Sequence, residues 1–146
     1  MATRCKIEIL EGGREYTIYR HCDGYPAAVL ADIKKAAENG ARFGDAEYFL
    51  ANFIFLAKYN FAKQGYDWRV SYGVCAPTCR HGDLEYIYTL WYNTHAGAWM
   101  IKISKWRRLE NGAEAWVTVF DGELEEAFKR FITEEFRDGC HIKELP

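Results

Sequence analysis

The stretch Lys6-Ile7-Glu8-Ile9-Leu10-Glu11-Gly12-Gly13-Arg14-Glu15-Tyr16-Thr17-Ile18-Tyr19-Arg20 decides how the chain begins to fold. Two alternating runs flank a Gly-Gly pair, and a Gly-Gly loop supplies the positive φ values of a type I′ hairpin turn. The register follows from the turn. With Glu11 opposite Arg14, Ile9 faces Tyr16 and Ile7 faces Ile18, so four apolar residues share one face. Lys6, Glu8, Thr17 and Tyr19 share the other, wetter face. Turn chemistry and alternation agree, which predicts an N-terminal hairpin with one side turned to the core.

Continued past Tyr19, the same alternation puts His21 on the wet face and Arg20, with Cys22, on the apolar side. Asp23-Gly24 then breaks the strand in a tight turn. Pro26 suits the first turn of a helix, where a missing N–H costs nothing. Val29, Leu30, Ile33, Ala36 and Ala37 recur at helical spacing, and Asn39-Gly40 supplies the stop. Asp45 is the N-cap of a second helix that runs to Gln64-Gly65. Its apolar residues, from Tyr48 and Phe49 through Phe53, Phe55, Tyr59 and Phe61, occupy nearly its whole circumference. Such a helix is either central in the core or shared with a second subunit, so a homodimer is one expectation.

From Asp67 the period changes to two, with Trp68, Val70, Tyr72 and Val74 on one side of a strand. Leu84 to Tyr92, Ala98 to Trp106 and Ala115 to Phe120 complete a meander whose last turn is Asn111-Gly112. A final helix starts at Asp121-Gly122, carries Leu124, Phe128, Phe131, Ile132 and Phe136, and ends at Gly139. The sum is an α+β fold in a single domain, 1–146. It has an antiparallel sheet of five or six strands and three helices, two inserted after the N-terminal hairpin and one C-terminal.

The formal net charge of -2 gives no whole-molecule field toward nucleic acid or acidic lipid, so neither is an expected partner. The longest strongly apolar run, Phe53 to Ala57, is too short to span a bilayer, and Met1 to Cys5 carries no apolar leader. Five cysteines make an odd count, scattered apart from Cys75 and Cys79, which favours a reduced, cytoplasmic compartment. Ten Tyr and five Trp exceed what a core alone needs and leave polar-tipped rings for an interface or a ligand.

The segment richest in chemistry is Tyr19-Arg20-His21-Cys22-Asp23-Gly24-Tyr25-Pro26. With the start Met1-Ala2-Thr3-Arg4, the Gly-Gly hairpin and the later Gly82-Asp83-Leu84-Glu85-Tyr86-Ile87-Tyr88, it resembles a group of short phage, prophage and bacterial proteins. Those open on a strand hairpin followed by His-any-Asp-Gly-Tyr-Pro. The resemblance covers about the first thirty residues and one strand, and it implies a biological setting rather than a reaction. On physical grounds the free N–H groups of the following helix suit a phosphate or carboxylate, with His21 and Arg20 as added donors. Alternatively Asp23 orients His21 as a general base. The structural alternative is that Asp23 caps the helix, His21 bonds a backbone carbonyl and Tyr25 packs.

Three further groups merit weighing. Cys75-Ala76-Pro77-Thr78-Cys79-Arg80-His81, completed by Cys140-His141, has enough donors for zinc. It shows only one half-site, with Cys-x3-Cys rather than the usual Cys-x2-Cys, so no metal or other cofactor is expected. Lys102, Ser104, Trp106 and Arg108 share one strand face, where an indole between cations could stack a base and hold a phosphate, or simply form a solvated sheet face. Glu123, Glu125, Glu126, Glu134 and Glu135 form the polar side of the last helix. The chain lacks a Walker loop, Gly-x-Gly-x-x-Gly, Gly-x-Ser-x-Gly and His-Glu-x-x-His.

The expected function is a small phage-type accessory protein that binds a small anionic or nucleotide ligand, or a host protein, as an antagonist of host defence. Its candidate binding residues are His21, Asp23, Tyr25, Arg20, Lys102, Trp106 and Arg108, and no catalytic residue is assigned. One alternative is an enzyme of phosphodiester or nucleotide chemistry using His21 and Asp23, with His81, His95 or Arg108 as a second group. The other is a structural dimer built on the second helix.

Overall fold

In the computed structural model, which describes residues 3–39, 44–76, 78 and 81–133, the N-terminal hairpin has the register its turn demands. Strands β1 (Arg4–Glu11) and β2 (Arg14–Arg20) pair antiparallel, with Glu11 opposite Arg14, Ile9 opposite Tyr16 and Ile7 opposite Ile18. Helix α1 (Pro26–Glu38) starts on Pro26, and α2 (Ala46–Lys63) is capped by Asp45, whose side chain accepts from the Tyr48 N–H. Strands β3 (Tyr72–Cys75), β4 (Leu84–Asn93), β5 (Ala98–Arg108) and β6 (Glu114–Glu123) follow, and then helix α3 (Leu124–Phe131).

The six strands lie in one sheet of order β3-β2-β1-β4-β5-β6. The sheet is mixed rather than antiparallel, because β4 runs parallel to β1. Turn residues report only on strands joined by a tight turn. The chain instead leaves β2, passes through both helices and the edge strand β3, and returns beside β1, a long crossover that allows parallel pairing.

Two other expectations give way. Trp68–Val70 is a 3-10 turn instead of the start of a strand. Asp67 bends it by accepting from the Arg69 backbone N–H at 3.1 Å and holding the Arg69 guanidinium at 2.9 Å. Asp121 and Gly122 do not start α3; they still pair with Lys102 and Ile101 as part of β6, and the helix begins after Glu123. Ladder pairing with a long neighbour outlasts a local turn signal. The expected end of α3 at Gly139, with Phe136, lies outside the described residues.

One core cluster joins Ile7, Ile9, Ile18, Tyr88, Leu90, Ile101 and Ile103 of the sheet to Leu30 and Ile33 of α1, Phe49 and Phe53 of α2, and Leu124 and Phe128 of α3. The alternate residues, among them Arg4, Lys6, Glu8, Tyr19, Ile87, Lys102, Ser104 and Trp106, belong to no core cluster and form the second, open face of the sheet. No helix of the described residues is long and apolar enough to cross a membrane.

Candidate functional site

The site begins where β2 ends. Arg20 and His21 are neighbours in sequence and part in space, as strand alternation requires. Arg20 goes inward and is fully buried. Its Nη1 donates to Asp32 Oδ2 at 2.7 Å and to the Tyr72 hydroxyl at 2.6 Å, and its Nε donates to the Cys22 carbonyl at 2.6 Å. Tyr72 in turn donates to Asp32 at 2.9 Å. Phe61 and Tyr72 present ring faces to the guanidinium at 5.5 and 5.1 Å. Arg20 is therefore a core ion pair with no surface open to a ligand, and it leaves the set of binding candidates.

His21 goes outward. Arg4 Nε donates to its Nδ1 at 3.2 Å, and the Tyr19 hydroxyl lies 2.9 Å from the same atom. As the acceptor of the Arg4 N–H, Nδ1 carries no proton, and the Tyr19 hydroxyl lies against the same edge of the ring. Burial pushes the Tyr19 phenol up, which keeps it a donor. Arg4 also pairs with Asp83, and the Tyr19 ring stacks flat on His81 at 3.6 Å between centroids and 9° between planes. One connected cluster of Arg4, Tyr19, His21, His81 and Asp83 thus occupies this end of the open face.

Asp23 takes no part in that cluster: among the described residues no hydrogen bond joins it to His21. It holds the left-handed position of the turn at φ 53°, a conformation Asp tolerates better than most residues. It does not cap α1 either; the N-cap is Tyr25, without a side-chain bond. Tyr25 packs with Ala28, Ala31 and Phe61 on the helical side. Gly24 is required by close approach. Its N–H donates to Thr3 O at 2.9 Å, Tyr88 donates to its carbonyl at 2.6 Å, and a Cβ would lie 2.9 Å from the Cys5 Cβ. Burial and then the charge of Asp23 push the Cys22 thiol up, so it is no ready nucleophile.

Beside the cluster runs a groove of about 660 Å³, lined by Lys6, His81, Asp83, Ile87, Trp106 and Trp116, with Glu85 and Glu114 at its walls. Trp106 and Trp116 are directly opposed on β5 and β6, edge to face at 5.4 Å and 64°, and 40% and 39% exposed. The charges are largely matched within the chain: Lys6 to Glu8 at 2.7 Å, Arg4 to Asp83, and Arg108 to Glu114 at 3.4 Å.

Of the candidates drawn from the sequence, Trp106 lines the groove, and His21 belongs to the cluster whose members His81 and Asp83 line the groove beside it. Lys102 is exposed on the same face between Thr89 and Asp121 but does not line the groove, and Arg108 lies at the end of β5. The residues not singled out beforehand are Arg4, Lys6, Tyr19, Asp83 and Trp116. A larger concavity of about 800 Å³ at the opposite end of β1, between the Gly12-Gly13 turn and Trp91, contains none of the candidates.

Cys75 is disulfide-bonded where the sequence suggests reduced thiols, while Cys5 and Cys22 are free. A sulfur in a disulfide is no thiolate ligand, and no three His, Cys, Asp or Glu among the described residues are grouped to hold a metal. Cys79, Cys140 and His141 lie outside the described residues. Comparison of the chain with protein-family models, curated proteins and solved structures returns no match.

Proposed function

We propose that this is a phage-type accessory binding protein, which captures a nucleotide-like ligand by its base on the open sheet face. The observation that carries this is the opposed, partly exposed indole pair of Trp106 and Trp116 in the groove. Exposed indoles are the platform on which bases stack. His81, laid flat on Tyr19, brings a further planar group to the same groove.

Charge favours the base end of the ligand over its phosphates. The lining holds one ammonium, Lys6, which is already paired with Glu8, while Asp83 and Glu114 are paired with Arg4 and Arg108. A polyphosphate would have to displace these carboxylates to reach a cation. The ligand class thus narrows from a small anion to a neutral or weakly charged planar molecule, such as the nucleoside part of a signal nucleotide. Sequestering such a signal is a role that fits an antagonist of host defence; a host protein presenting an aromatic side chain would use the same surface. The enzymatic alternative gains nothing from His21 and Asp23, since the orienting hydrogen bond it needs is not made.

Titration calorimetry of the full chain with nucleosides and their mono- and triphosphates tests this. The expected result is binding of a nucleoside that added phosphates do not tighten. Trp106→Ala should weaken it about tenfold or more, in line with a stacking contribution of ~1–3 kcal/mol per base. No heat with any base, or affinity that climbs with each phosphate, would contradict it.

A further inference from the structure

Helix α2 carries more apolar surface than the core uses. Ala46, Phe49, Leu50, Phe53, Ala57 and Phe61 are buried. Yet Tyr48, Phe55 and Tyr59 remain 54%, 66% and 58% exposed. Phe55 and Tyr59 stack at 6.1 Å and 21°, presenting one continuous aromatic surface. Beside them Phe55, Tyr59, Ala62 and Trp68 line an apolar groove of about 280 Å³. The cation at this groove, Lys58, is engaged within the chain, donating to Trp68 O at 3.1 Å and to Ser71 Oγ at 3.3 Å. Glu47, next to Tyr48, is held by Arg14 and Tyr16 at 3.1 Å each.

We infer that this face pairs two copies of the chain, α2 against α2, antiparallel about a twofold axis at Phe55. The argument rests on the order of residues along the stripe. Its exposed positions are Tyr48, Ala51, Phe55, Tyr59 and Ala62, steps of three and four that keep them on one side of the helix. The stripe is symmetric in spacing and opposite in size about Phe55. Tyr48 and Ala62 lie seven residues to either side, and Ala51 and Tyr59 lie four to either side. In an antiparallel pair Tyr48 therefore meets the second copy's Ala62, Ala51 meets the second copy's Tyr59, and Phe55 meets itself. Large faces small away from the axis, the self-complementarity that an isologous contact requires. The same arrangement delivers the Tyr48 ring to the second copy's groove beside Ala62 and Trp68.

Aromatic side chains bury ~150–250 Å² each, so the exposed parts of Tyr48, Phe55, Tyr59 and Trp68 supply roughly 340–570 Å² per copy. Counted over both copies this reaches the total of about 1,000 Å² that a specific interface has to clear.

Sedimentation equilibrium of the full chain over a concentration series reads the result. The expected mass rises from 17.0 kDa to twice that, and Phe55→Glu, which sets two carboxylates face to face at the axis, holds it at the monomer value. A wild-type chain that stays monomeric at every concentration overturns the inference, and so does a Phe55→Glu chain that remains dimeric. Should Phe55→Glu fail to fold, Phe55→Cys decides. Under mild oxidation it should cross-link to its own counterpart well above the background of the native cysteines. Ala51→Cys should link to Tyr59→Cys in a mixture and not to itself. Cross-linking no greater than wild type overturns the inference.

Discussion

Two clusters of the same chemistry stand back to back across the end of β2. On the helical side Arg20, Asp32 and Tyr72 join a guanidinium, a carboxylate and a phenol with no exposure to water. On the open side Arg4, Asp83 and Tyr19 join the same three groups around His21, with the Arg4 side chain 28% and the Asp83 side chain 62% exposed. Burial alone separates their roles. The inner charges cannot be left without each other, because an unpaired ion in the core has no water to replace its partner. The outer charges lose little when separated and remain accessible to a ligand. The inner cluster ties β2, α1 and β3 together; the outer one arranges the surface on which His81 and the groove sit.

Breaking each cluster in turn sharpens this contrast. The largest effect is expected at Arg20→Met, which strands Asp32 in the core and should cost about 3–5 kcal/mol in chemical denaturation. A double change of Arg20→Met with Asp32→Leu should recover much of that loss. Next comes Gly24→Ala, where the new Cβ meets the Cys5 Cβ and the Thr3 carbonyl, both at 2.9 Å. Overpacking of that kind costs ~1–3 kcal/mol and should appear as a lowered melting temperature. Arg4→Ala should cost under about 1 kcal/mol of stability, the range of exposed ion pairs, while weakening ligand binding through the loosened His21 and His81. If Arg4→Ala destabilised the fold as much as Arg20→Met, the contrast between the two clusters would fail.

The smallest effect at neutral pH belongs to Cys5, which burial pushes up to about 12 from an ordinary 9.0. Below pH 9 its thiol is neutral in both the folded and the unfolded chain, so its full contribution is present. As pH rises from 9 toward 12 the unfolded thiol ionises first, the unfolded state holds fewer protons, and stability falls. Denaturation midpoints measured across that window should drop more steeply for the wild type than for Cys5→Ala. Tyr88, also pushed up by burial, supplies part of the slope that remains.

Local chemistry made much of the fold legible. Gly12-Gly13 gave the hairpin register residue for residue, Pro26 and Asp45 marked two helix starts, and alternation separated Arg20 from His21. Nonlocal pairing was illegible: nothing in a turn announces that β4 returns parallel to β1, which is what brings Lys6 beside Ile87 and into the groove. The indole pair was hidden by a single residue. A two-residue Asn111-Gly112 loop would set Trp106 opposite Val117. The observed loop spans 109–113, with Leu109 N–H donating to Ala113 O at 2.7 Å, and so opposes Trp106 to Trp116 on one face. Asp83 lies in the segment that carries part of the family resemblance, but its partnership with Arg4 depends on the same parallel pairing.

The most direct test of the account is to follow the five tryptophan indole N–H resonances of the full chain during titration with a nucleoside. The account predicts that the Trp106 and Trp116 signals move together, along with the His81 and Ile87 amides, while Trp91 and Trp99 at the opposite end stay in place. Shifts confined to Trp91 and Trp99, or no shift with any base at saturating concentration, would contradict the assignment of function to this end of the open sheet face.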